Sequence, residues 1–326
     1  MKFLARRFAH AIVLLAAISF FSFALIQLAP GDFFDAMRVN PRISQKTIDG
    51  LRAEYGADKP FPIRYARWLR SLANGELGVS LAYNSPVGPI LAVRARNTLL
   101  LTGVATLLAW LVAIPIGIWS AAKRGKFADR VAGAATSTLL TIPDLLLFLA
   151  LLLLAVRTGW FPAGGMISPG LEDAGFWSKA GDIARHLVLP ALGLAAVTLP
   201  MLVRHIRSAM IEVLEAPFIR AARGHGISRA RLLWRYALPA ASNPLISLLG
   251  FSIGTMLSAS LLVEVVLSWP GLGPLLVEAI LSRDVYVVVG AVLLSSVFLV
   301  AGNLIADLLL FAADPRIRLD SRGVNG

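Results

Sequence analysis

Residues Asn97–Ala121 read NTLLLTGVATLLAWLVAIPIGIWSA, an unbroken run without one charged side chain. A helix needs about 20 mainly apolar residues to cross a bilayer, because the hydrocarbon core offers nothing to an unpaired backbone amide. This run meets the requirement. So do Phe8–Ala29, Val131–Val156, Leu187–Val203, Pro244–Leu267 and Val285–Phe311. The fold class that follows is an all-α integral membrane protein with six transmembrane helices. Leu187–Val203 is the shortest span and carries Pro190 and Pro200, so its ends are the least defined.

Composition points the same way. Of 326 residues, 57% are hydrophobic and 15% charged, against roughly 25% charged in soluble domains. With no cysteine, the chain has no disulfide, thiolate metal site or cysteine nucleophile. The net charge of +12 has two readings, a nucleic-acid partner or membrane topology. Topology is favoured, because no basic run is interleaved with aromatics as a nucleic-acid groove requires.

Lys2, Arg6 and Arg7 precede the first span, as in a secretory signal. Its apolar run outlasts the roughly 7–15 residues of a signal core, and Pro30 follows it, so residues 1–29 read as a retained anchor helix. Lys123, Arg124, Lys126 and Arg130 flank the second connection. Arg204, Arg207, Arg220, Arg223, Arg229, Arg231 and Arg235 populate the fourth, and Arg316, Arg318 and Arg322 the tail, residues 312–326. The third connection is near neutral: Arg157, Lys179 and Arg185 face Glu172, Asp173 and Asp182. Basic short loops lie in the cytoplasm, which puts both termini there and residues 30–96 outside.

That outer segment carries its own structure signals. Tyr65, Trp68, Leu69 and Leu72 follow helical spacing, introduced by Pro60 and Pro62 and ended by Asn74-Gly75. A shorter stripe, Ile48, Leu51 and Tyr55, stops at Gly56. Such a segment is either a docking face for an external binding protein or a lid packed on the bundle.

Between the fourth and fifth spans runs EVLEAPFIRAARGHGIS, residues 212–228. Pro217 suits the first turn of a helix, and Glu215 just ahead complements its positive end. Ala221 and Ala222 would let a partner approach the backbone closely. Gly224 and Gly226 can take the left-handed conformation that ends a helix, and Ser228 can cap a second one. Physics alone leaves a docking helix and a plain amphipathic connector equally open.

The spacing resolves this. Arg220-Ala221-Ala222, three residues, Gly226, nine residues, then Tyr236-Ala237-Leu238-Pro239 resembles the EAA loop of ABC importer permeases, with Arg220 in place of Glu and Tyr236 in place of Ile. The arginine is typical of the peptide branch. Further stretches resemble dipeptide and oligopeptide permeases in the same order: Tyr55 to Pro60 with Trp68-Leu69 and Gly75 to Ser80, Ser85-Pro86-Val87 to Arg96-Asn97-Thr98, Glu264 to Gly273, and Asn303 to Asp307 with Asp314 to Arg318. The resemblance implies a type I ABC importer permease fold, with a core over 97–311 and a coupling loop over 208–239. It implies a homologous second permease subunit, two cytoplasmic ATPases that hold ATP and Mg, and an extracytoplasmic binding protein delivering a peptide or similar solute. Surrounding lipid is the remaining partner. The coupling residues would be Pro217, Arg220, Ala221, Ala222, Gly224, Gly226, Leu238 and Pro239.

Asp144, placed mid-span behind Pro143, either lines the pathway or caps the backbone that the proline frees. Glu264 and Asp307, near span ends, read as interfacial or paired with arginine. Asn243, Ser247, Gly250, Gly254 and Ser258 form a small, polar stripe that packs closely against another helix or lines a wet path. Other classes fare worse. An ion-coupled secondary transporter needs midplane ion sites in interrupted inverted repeats, and Asp144 with Pro143 is all that fits. No nucleophile–base set or metal-ligand spacing appears, so no catalytic or metal residue is assigned. The chain also lacks GxxxxGK[ST] for nucleotide phosphates.

Overall fold

The computed structural model describes residues 2–28, 31–38, 44–54, 56 and 58–313. Tyr55, Pro30 and the tail motif Asp314 to Arg318 lie outside the described residues. Helices long and apolar enough to cross a membrane are α1 (Lys2–Leu28), α5 (Val87–Ala122), α8 (Phe176–Leu214), α12 (Ser242–Val266) and α14 (Val285–Ala313). The sixth span is broken: α6 (Phe127–Thr141) and α7 (Asp144–Thr158) meet at 94°. This corrects the continuous span expected over Val131–Val156. Pro143 disfavours helical geometry in the residue before it, and Ile142 is accordingly extended, at φ −81° and ψ 119°.

The backbone groups into two compact units, Phe3–Thr98 with Pro270–Phe298, and Leu99–Trp269 with residues from Leu299 onward. Residues 270–298, expected within the core, thus group with the outer segment.

In the first unit the outer segment folds into α2 (Phe33–Arg38), α3 (Gln45–Glu54), α4 (Phe61–Ala73) and a two-stranded hairpin, β1 (Val79–Ser80) and β2 (Ser85–Pro86). The strands are antiparallel, with Val79 opposite Pro86 and Ser80 opposite Ser85. The aromatic stripe of α4 turns inward. Trp68 is buried with Phe23 of α1 and Val289 of α14, and Phe61, Tyr65 and Tyr286 pack around them. Tyr65 Oη lies 2.9 Å from Ser19 Oγ, and Trp68 Nε1 donates to the Leu77 carbonyl at 3.2 Å. Polar ends are therefore satisfied while the rings stay dry. Of the two readings for this segment, packing on the bundle accounts for the apolar stripe.

The hairpin is held by Asp284, which follows a short helix that the sequence reading missed, α13 (Leu272–Leu281). Fully buried, its carboxylate accepts hydrogen bonds from Ser80 Oγ (2.6 Å), Ala82 N (3.1 Å) and Val287 N (3.3 Å). Tyr83 at the hairpin tip donates to Glu278 at 2.5 Å. Burial, then that carboxylate, pushes the tyrosine pKa up to about 12, so it remains a donor at physiological pH.

The second unit is built around α8. The fourth span was expected over Leu187–Val203, yet it is the longest helix described, running Phe176–Leu214. Pro190 and Pro200 lie inside it, both buried, in a helix that packs on α12, α6 and α7. At 1.5 Å per residue it is about 58 Å long, well beyond a hydrocarbon core of about 30 Å. Asp182 and Arg207 near its two ends, which lowered the hydropathy, have partners instead. Asp182 accepts from Ser168 N (2.6 Å) and Ser168 Oγ (2.8 Å), and it lies in α8 rather than in the third connection.

Candidate functional site

The segment after α8 folds as the sequence suggests, with three differences. Pro217 opens α9 (Pro217–Gly224) at its first position, where the missing N–H breaks no bond. Glu215 belongs to the preceding helix: it is the C-terminal cap of α8, its N–H bonds to the Ile211 carbonyl, and its carboxylate pairs with Arg124. Gly224 is the last helical residue, and the left-handed position falls on Gly226 alone, at φ +74°. A β-branched residue there would be strained. Ser228 stands at the start of α10 (Arg229–Arg231) but makes no side-chain cap; its carbonyl accepts from Leu232 N at 2.9 Å.

Next comes a turn invisible in the sequence. Leu232–Ala237 is π-helical, with Leu238 N–H donating to the Leu233 carbonyl five residues back. Pro239 follows at once, in α11 (Leu238–Ala240). Wide turns of this kind accompany residues that cannot join the regular ladder.

Burial divides the loop into an anchor and a face. Ile219, Leu232 and Ala237 are fully or almost fully buried in the core that contains α8 and α12, and Ala222, Ile227 and Leu238 pack half-buried against it. Pro217, Phe218, Arg220, Ala221, Arg223, Gly224, Gly226 and Pro239 are exposed. The two alanines therefore differ: Ala221 faces out and Ala222 faces the chain's own core.

The loop is braced by charges. Arg229 donates to the Ala122 carbonyl at the end of α5. Asp129 in the first turn of α6 accepts Arg207 Nε (2.7 Å) and Nη2 (2.8 Å) from α8, together with Ser120 Oγ and Gly125 N. A bidentate guanidinium–carboxylate pair fixes orientation as well as distance. In the sequence alone Arg207 is one more topology charge, and nothing pairs it with Asp129. The available signal was a lone acid opening a helix amid Lys123, Arg124, Lys126 and Arg130.

The pathway candidates are not gathered in one place. Asp144 is the first residue of α7 and exposed; its charge lies at the end where the helix dipole favours it. On α12, Gly250 and Gly254 leave no room for a Cβ, which would fall 2.4 Å from Ala306 Cβ and from Leu299 Cδ1. The middle of the stripe is thus a close helix contact. At its ends Ser247 and Ser258 are exposed and donate to the carbonyls of Asn243 and Gly254. Asn243 is half-buried. Glu264, expected to be interfacial or paired with arginine, is fully buried, and its carbonyl accepts from the equally buried Trp269 at 2.9 Å.

Comparison with known proteins covers nearly the whole chain. Residues 113–319 match the family described as binding-protein-dependent transport system inner membrane component, and residues 1–99 match the N-terminal region of such membrane components. The oligopeptide transport system permease protein AppB of Bacillus subtilis is 36% identical over 317 residues, covering 97% of this chain and 98% of that one. The dipeptide permease protein DppB of Escherichia coli K12 is 33% identical, covering 98% and 99%. The oligopeptide permease protein OppB of Mycobacterium bovis is 32% identical at the same coverage. Among solved structures, an inward-facing MetNI methionine ABC transporter chain matches with a TM-score of 0.57 at 18% identity, over 69% of this chain and 96% of that chain. That likeness concerns the fold.

Proposed function

Because the chain belongs to the family of binding-protein-dependent transport system inner membrane components, we propose that it forms half of the pathway of an ATP-driven importer of di- or oligopeptides or a related small solute. The family is one of multi-pass inner-membrane permeases. An ion-coupled secondary transporter draws no support from these relatives.

The observation that carries the reading is α9, a helix with Ile219 sunk in the core and Pro217, Arg220, Ala221 and Gly224 presented outward. In this reading the face seats a cytoplasmic ATPase, one of two that hold ATP and Mg, and Gly226 and Pro239 shape the loop around it. Movement of the seated face reaches α8 and α12 through Ile219, Leu232 and Ala237. The two access states bind ATP unequally through the ATPases, and that difference shifts their populations. Both termini are cytoplasmic, a binding protein docks on the outer segment, and exposed leucines of α7 such as Leu146 and Leu153 meet lipid or the homologous second subunit.

Reconstitution with candidate ATPase, second-permease and binding-protein subunits from the same organism tests this. Peptide uptake should require both ATP and the binding protein. Solute moved by the chain alone down an ion gradient would overturn the reading.

A further inference from the structure

Beside the loop lies a groove of about 670 Å³ that the transport reading does not use, lined by Ile116, Trp119 and Lys123 at the end of α5 and by Arg229, Leu233 and Trp234. Its walls are apolar and its only charged residues are basic. Neither Lys123 nor Arg229 forms an ion pair among the described residues. Trp119 and Trp234 are large apolar side chains left 46% and 51% exposed, and the Lys123 ammonium sits 4.9 Å above the Trp119 ring.

The order of residues along α5 says what covers this surface. Val112, Pro115, Trp119 and Lys123 fall at i, i+3, i+7 and i+11, within one face of a helix, and Val112, Pro115 and Trp119 are exposed. From Val112 to Trp119 is about 10 Å along the axis, and from Trp119 to Lys123 about 6 Å. Aliphatic, then indole, then ammonium is the succession of hydrocarbon, interface and headgroup in one leaflet. A protein partner would impose no such layering. The second cation and second indole come from the π-helical turn and the residues before it, so the groove exists only when the loop is folded against α5.

We propose that this groove binds one anionic phospholipid, its phosphate between Lys123 and Arg229 and its acyl chain over Trp119, Leu233 and Trp234. The bound lipid staples the coupling loop to α5 beside the contact of Arg229 with the Ala122 carbonyl. The proposed orientation enters only in assigning the lipid to the cytoplasmic leaflet.

The test uses the assembled transporter in phosphatidylcholine nanodiscs doped with brominated phosphatidylglycerol or brominated phosphatidylcholine. The emission lost in Trp119→Phe and Trp234→Phe reports these two indoles. It should be quenched at about thirtyfold lower content of the anionic lipid if both basic contacts act, and at about fivefold lower content if one does. Lys123→Gln should weaken that preference about fivefold and Lys123→Arg should keep it. Equal quenching by both lipids, or none by either because protein covers the groove, would overturn the proposal. The readout needs neither hydrolysis nor uptake, so failure of the transport reading is scored separately.

Discussion

Two short amphipathic helices lie outside the spans, and they spend their apolar residues differently. In α4 the rings of Tyr65 and Trp68 join Phe23, Phe61 and Tyr286 in one aromatic cluster, and Trp68 is 2% exposed. In α9 one large side chain, Ile219, is buried, while Phe218 is 49% exposed. A helix held by a ring cluster is a fixed part of its unit. A helix held mainly by one large anchor keeps a free face for a partner to grip. The contrast separates architecture from coupling, and substitutions can sharpen it.

Trp68→Ala should have the largest effect on stability, about 3–5 kcal/mol for a buried aromatic, seen as a lowered unfolding temperature of the detergent-solubilised complex. A small loss would mean that α4 is not a structural element. Ile219→Ala should lose about 2–4 kcal/mol locally and uncouple transport: ATP hydrolysis would continue while uptake falls at least tenfold. Full uptake in this variant would show that force travels by another route. Gly226→Val should cost about 1–2 kcal/mol of backbone strain in open space, with no neighbour to clash against. Its signature is weakened ATPase association with normal membrane insertion. Asp144→Asn is expected to change least, by about 0.5 kcal/mol of helix-dipole interaction; an uptake loss beyond about twofold would return Asp144 to the pathway.

The spans were legible because hydrocarbon tolerates so few residue types that long apolar runs speak for themselves. α4 and Pro217 were legible through spacing and proline chemistry. What escaped depends on tertiary pairing. Asp182 and Arg207 lowered the hydropathy of α8 and hid its length, though each is satisfied by a partner distant in sequence, Ser168 and Asp129. The burial of Glu264 was not legible, because it depends on the packing around it. The π-helical turn has no periodic signature over six residues. In the loop, the alanine pair was visible, but only the packing of Ile219 decides which alanine faces out.

That division gives the most direct test. The chain has no cysteine, so a single introduced thiol is unique within it. Ala221→Cys and Ala222→Cys, each carrying a short photoactivatable probe, would be compared in the assembled transporter. The probe at 221 should cross-link an ATPase subunit while the probe at 222 should cross-link only within the permease. Equal capture of the ATPase from both positions, or none from 221, would contradict it.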